Sequence, residues 1–175
     1  MKLLRTIRLD RSDTFIFERA AAPGEWAVSG AFAFAHVDLE RLDGKARAAF
    51  RSGFLGIQSL GWSTLVQVVE ANADDRAAAI EGLAAQLVAH FGAPDLDSAR
   101  PAAAEEIAFA AALSDHPKGM LAAVSRSFVG GEIRETFRTL APSIGAKPLR
   151  AYALLEVVGE DDATDVDLFS IGDRR

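Results

Sequence analysis

The chain has 175 residues, half of them hydrophobic and a quarter charged, with a net charge of −6 and no cysteine. A body of this size fits one domain and buries roughly 70% of its unfolded surface, so it needs no covalent staple. Disulfides, thiolate catalysis and thiolate-held metals are excluded, nucleic-acid phosphates would repel the acidic balance, and no stretch approaches the roughly 20 apolar residues that cross a bilayer.

MKLLRTIRLD opens with Leu3, Ile7 and Leu9 alternating on one side with Arg5, the pattern of a strand. Lys2, Arg5 and Arg8 interrupt any signal-peptide core, so a cytoplasmic location is expected. DRSD then reads as a turn, TFIFE as a second strand and AAAPGE as another turn. WAVSGAFAFAH, residues 26–36, reads as one long strand or two short ones, with a bulge or bend at Gly30. DGKARAAFRS suits a short helix, and WSTLVQVVE, residues 62–70, is a strand by its β-branched content.

Asn72 is placed to cap a helix that carries Asp74 and Asp75 in its first turn, where the helix dipole favours acid. Ile80, Leu83, Ala84, Leu87, Val88 and Phe91 recur at steps of three and four, and Gly92 and Pro94 end the run. A second helix is expected over 101–113, with Pro101 in its first turn. Its stripe of Ile107, Ala110 and Ala111 is thin, so it should lie close to its neighbour or half exposed.

Residues 120–140 have two readings. As a helix, Ile133, Phe137 and Leu140 form a stripe. As a hairpin, Gly130–Gly131 supply the positive φ values of a two-residue turn. Counting outward then pairs Val129 with Glu132, Phe128 with Ile133, Ser127 with Arg134, Arg126 with Glu135 and Val124 with Phe137. The chemistry agrees at each of these pairs, which favours the hairpin. LRAYALLEVVGE, residues 149–160, reads as a buried strand, DLFSI as a short further one, and EDDATDVD as a solvated acidic run. Strands, then two helices, then strands argue for a single α+β domain over 1–175: an antiparallel or mixed β-sheet with the two consecutive helices packed on one face.

If residues 32–40 stay extended, Phe32, Phe34, His36, Asp38 and Glu40 share a face. An imidazole and two carboxylates there suit a divalent metal or a general base. The geometry is poor, because side chains two apart on a strand sit about 6–7 Å apart. The plainer reading is a strand that leaves the core and meets water. Asp115 and His116 at a helix end form a second weak catalytic candidate, and His90 suits the last helical carbonyls. Gly53, Gly56 and Gly61 match no phosphate-binding motif, and no serine has a G-x-S-x-G context. The segment around them carries Phe54, Leu55, Ile57, Leu60 and Trp62. It either lines a ligand or partner surface or folds back over its own core. Arg126 opposite Glu135 could floor a pocket, but a position near a sheet edge with both charges in water is favoured. Trp26 and Trp62 lack the basic surroundings of a nucleic-acid stacking platform.

At GGEIRETFR and EEIAFAAAL the chain resembles a family of short, uncharacterised proteobacterial proteins. The resemblance implies no activity and no catalytic residue, and a bacterial cytosolic origin.

The leading expectation is a non-catalytic binding or accessory module, with a homodimer or a protein partner as candidate states and with no cofactor, metal, nucleic acid or membrane. One alternative is a small metal- or acid/base-dependent enzyme centred on His36, Asp38 and Glu40, joined by Asp115 and His116. The other is a small-molecule carrier with a pocket between the sheet and the helix pair, lined by Phe32, Phe34 and Trp62.

Overall fold

The computed structural model describes residues 1–142 and 155–160. The architecture is α+β. Strands β1 (Lys2–Ile7), β2 (Trp26–Val28), β3 (Phe54–Gly56), β4 (Trp62–Ser63), β5 (Leu65–Glu70), β6 (Leu121–Val129) and β7 (Glu132–Pro142) form one sheet in the order β4-β3-β2-β1-β5-β6-β7. An eighth strand, β8 (Leu155–Glu160), pairs with the far side of β7. All neighbouring strands are antiparallel. Residues 149–154 and DLFSI lie outside the described residues.

The sheet curls strongly. On a flat sheet β3 and β7 stand five strand spacings apart, about 24 Å. The rings of Phe54 in β3 and Phe137 in β7 are nevertheless 6.1 Å apart at their centroids. The inner surface of the curl carries Leu4, Val66, Val68, Ala122 and Val124, all fully or almost fully buried.

Against this sheet pack helices α3 (Ala73–His90) and α4 (Leu96–Leu113), taking these labels because α1 (Ser12–Ile16) and α2 (Gly44–Ser52) precede them. The consecutive helices also pack on each other. Helix α3 starts at a capping box in which Asn72 and Asp75 each accept the other's backbone N–H. Its Leu83 and Leu87 are buried, as is Ile107 of α4, while Ala79, Ala84, Ala99, Ala103 and Ala110 let the backbones approach closely. Helix α4 begins at Leu96 and not at Pro101. Asp95 caps it by accepting the Ser98 N–H at 2.7 Å. Pro101 lies inside, where its missing N–H removes one bond near the helix start that the cap and the packing outweigh.

The Gly130–Gly131 turn forms with φ of 63° and 82°, and β6 and β7 pair in the register that the turn dictates, including Arg126 with Glu135 and Val124 with Phe137. The region before α2 departs from expectation. TFIFE is not a strand: residues 12–16 are helical, and Phe15 is 73% exposed while Phe17 is buried. The side chain of buried Asp13 accepts from the Thr64 hydroxyl and from the Thr64 N–H at 3.3 Å, which pins this helix to the start of β5. The long strand over 26–36 is also corrected. Strand β2 stops at Val28, Gly30 adopts a left-handed φ of 82°, and Ala31–Phe34 form a 3-10 turn. A tertiary demand sets this break. A Cβ at Gly30 would lie 2.6 Å from Leu55 Cβ and 3.0 Å from the Trp62 ring.

Candidate functional site

The reversal at Gly30 returns Phe34 to Trp62 of β4. The two rings stack at 5.2 Å with planes 29° apart, and Phe50 of α2 meets Phe34 edge-on at 5.2 Å. Gly53, like Gly30, is shaped around the indole: a Cβ there would fall 2.7 Å from Trp62. The aromatic pair is therefore held in place, with Phe17, Phe34, Ala49 and Phe50 forming a small second core beside it.

The loop from Ile57 to Gly61 forms the adjoining wall. It is tied down by Glu25, a buried carboxylate that accepts the Gln58 N–H at 2.9 Å, the Ser59 N–H at 2.8 Å and the Ala22 N–H at 2.6 Å. Gly61 presses directly on the Ala20–Ala21 peptide, where a Cβ would sit 2.5 Å from backbone atoms. Between these anchors Leu60 takes φ = 52°, the single non-glycine residue at positive φ among the described residues. A bulky side chain in that region is strained, and such strain is retained where the surroundings impose it.

These pieces enclose a surface cleft of about 540 Å³ lined by Glu18, Arg19, Phe34, Lys45, Ala46, Ala49, Leu60 and Trp62. Its floor is aromatic, one wall is the small-residue face of α2, and its rim carries two cations and one carboxylate. The Arg19 guanidinium is fixed by donating to the Ser59 carbonyl at 3.0 Å. Lys45 is exposed and has no ion-pair or hydrogen-bond partner among the described residues. Among the described residues the lining contains no histidine, serine or threonine. It offers shape, an apolar ring surface and charge.

The expected candidates are distributed unevenly around this cleft. Leu60 and Trp62 line it, whereas Phe54, Leu55 and Ile57 are sealed in the core and present no surface to a partner. Of the residues expected to line a small-molecule pocket, Phe34 and Trp62 line this cleft, which lies between α2 and β4. Phe32 does not line it and packs edge-on against Phe91 at the end of α3 instead. His36, Asp38 and Glu40 do not share a strand face, because their segment turns through 3-10 geometry at 31–34 and 39–41. All three are exposed, and Asp38 caps the second turn by accepting the Glu40 N–H at 3.2 Å. Asp115 is exposed. His116 is half-buried, and its carbonyl accepts the Lys2 ammonium at 2.6 Å. His90 ends α3 at the surface. Among the described residues no three His, Asp or Glu side chains gather around a metal-sized space. Trp26 is covered by the Arg5 guanidinium, 3.8 Å above its ring.

Arg126 and Glu135 are corrected more sharply. Arg126 does not reach water at a sheet edge: it is 3% exposed, while the Glu135 side chain keeps 16% exposure. Its Nε donates to Glu135 Oε1 at 2.6 Å, its Nη1 to the carbonyls of Gly53 at 2.7 Å and Phe50 at 3.0 Å, and its Nη2 to the Ser29 carbonyl. The Ser29 hydroxyl donates to Glu135 as well. This clasp joins β6 and β7 to the ends of α2 and β2, which only the curl of the sheet brings within reach. Burial lowers the guanidinium's affinity for its proton, and the charge of Glu135 opposes that. On α4, the Glu106 carboxyl is pushed above its usual range by burial first and by the negative charge of Glu135 second, with Arg126 acting against both. Every bond of the clasp is internal, so its role is closure of the fold.

No helix among the described residues is long and apolar enough to cross a membrane. A family model described as a family of unknown function (DUF6505) matches residues 1–154, and the chain belongs to that family. No curated protein and no solved structure matches it.

Proposed function

We propose that this DUF6505 member is a non-catalytic cytosolic binding module that holds a small ligand in the cleft between α2 and β4. The carrying observation is the cleft itself: a stacked Phe34–Trp62 floor fitted into space left by Gly30 and Gly53, beside a strained Leu60. Its volume of about 540 Å³ suits a single small molecule. An enzyme built on His36, Asp38 and Glu40 draws no support from their exposed, divergent placement.

The protein has two tryptophans, so a Trp26→Phe background leaves Trp62 as the sole indole reporter. A small-molecule panel titrated into that variant is expected to yield binders that shift Trp62 emission. Ala46→Phe, which places bulk at an exposed cleft position without adding an indole, is expected to abolish the shift. A panel that leaves Trp62 emission unmoved, or hits indifferent to Ala46→Phe, would refute the cleft as a binding site. Turnover lost on His36→Ala would replace the binding reading with the enzyme.

A further inference from the structure

Given that the cleft is a binding site, on which this inference rests, we propose that its ligand is a small planar aromatic anion of the carboxylate class. Three properties of the lining converge on that chemistry. The floor is a fixed aromatic surface, the stacked Phe34–Trp62 pair, and ring-on-ring contact favours a flat ligand. The α2 wall presents the exposed Ala46, a side chain short enough to admit a ring beside the helix, with the nearly buried Ala49 behind it. Among the described residues the rim then carries Arg19 and Lys45 against Glu18, a local surplus of positive charge.

That surplus runs against the rest of the molecule. The chain as a whole carries −6, a field that repels anions, so a local excess of cations at an aromatic cleft selects for a charge that the remaining surface rejects. The two cations have different roles. Arg19 is tethered to the Ser59 carbonyl and shapes the wall, whereas Lys45 is free to swing onto an incoming carboxylate. Its charge-assisted N–H···O bond would anchor one end of a ligand whose ring lies on the aromatic floor. A cationic ligand would meet two like charges for one partner, and a neutral one would use the floor and leave Lys45 in water.

The test uses 1-naphthoate and its uncharged near-isostere 1-naphthamide, titrated against Trp62 fluorescence in the Trp26→Phe protein. Naphthoate is expected to bind about tenfold more tightly than the amide. Lys45→Glu is expected to remove that preference, weakening naphthoate about tenfold while the amide stays within about twofold. Added salt should weaken naphthoate alone. If the amide binds as tightly as naphthoate, or if Lys45→Glu leaves naphthoate unchanged, the anion class is wrong, although blockage of both compounds by Ala46→Phe would keep the cleft as a site. If neither compound responds to Ala46→Phe, the cleft reading itself falls, and this proposal with it.

Discussion

The clasp around Arg126 and the rim around Lys45 are both built from charged side chains near the second core, yet they differ in every respect that bears on function. The guanidinium of the clasp is buried, and each of its donors has a partner within the chain: a carboxylate, three carbonyls and a hydroxyl. The rim is wet, and its lysine has no partner among the described residues. A buried charge with all its bonds satisfied has been spent on holding strands together, because removing either partner leaves the other stranded. A solvated charge beside an apolar floor costs the fold little and keeps its bonding capacity for something that arrives. The contrast shows that charge at a site points to binding only together with exposure and unused hydrogen bonds.

The comparison breaks most visibly at the clasp. Arg126→Ala strands Glu135 and the carbonyls of Ser29, Phe50 and Gly53, and is expected to cost about 3–5 kcal/mol in urea unfolding. A loss under about 1 kcal/mol would mean that water replaces the guanidinium, and the clasp would then resemble the rim. Gly61→Ala forces a methyl against the Ala20–Ala21 peptide and is expected to cost about 1–3 kcal/mol, with loss of any Trp62 response to ligand.

A smaller effect concerns Glu106. Its pKa is raised above the ordinary 4.5, so the folded state holds that proton more tightly than the unfolded chain does. Stability from this group is therefore present when both forms are protonated, and it is lost as pH rises from the unfolded value through the higher folded one. Glu106→Gln is expected to flatten the stability profile just above pH 4.5 and to raise stability modestly at neutral pH, as followed by thermal melts across that range. The smallest effect belongs to the rim. Lys45→Ala is expected to leave the unfolding midpoint unchanged, and a clear drop would show that Lys45 supports the fold.

How much of this was legible in the sequence follows from where each decision is made. The β6–β7 register could be read because it is local: a two-residue glycine turn fixes the pairing, and cross-strand chemistry confirms it five times. The α3 cap and stripe were legible for the same reason. TFIFE and AFAFAH misled because alternation over four or five residues is short, and distant partners overruled it. Asp13 reaches Thr64, and Gly30 yields to Leu55 and Trp62. The Arg126–Glu135 pair could be found by counting from the turn, but its burial depends on Ser29 and Gly53, which only a curled sheet delivers. Of the cleft, Leu60 and Trp62 stood out as apolar residues among glycines. Glu18, Arg19 and Lys45 had no signal, being ordinary surface charges until α2 and β4 bring them together.

The curl has a further consequence, in the order of events during folding. Phe54 and Phe137, and Ser29 and Arg126, are far apart along the chain, and joining them closes large loops at an entropic cost that nearby turns avoid. The hairpin and the helix pair can form from local contacts, whereas the clasp can lock only after the hairpin has met the ends of α2 and β2. Arg126 should therefore act after the rate-limiting step. Its removal is expected to speed unfolding while leaving the refolding rate nearly intact, so that the clasp sets how long the native state lasts more than how fast it is reached.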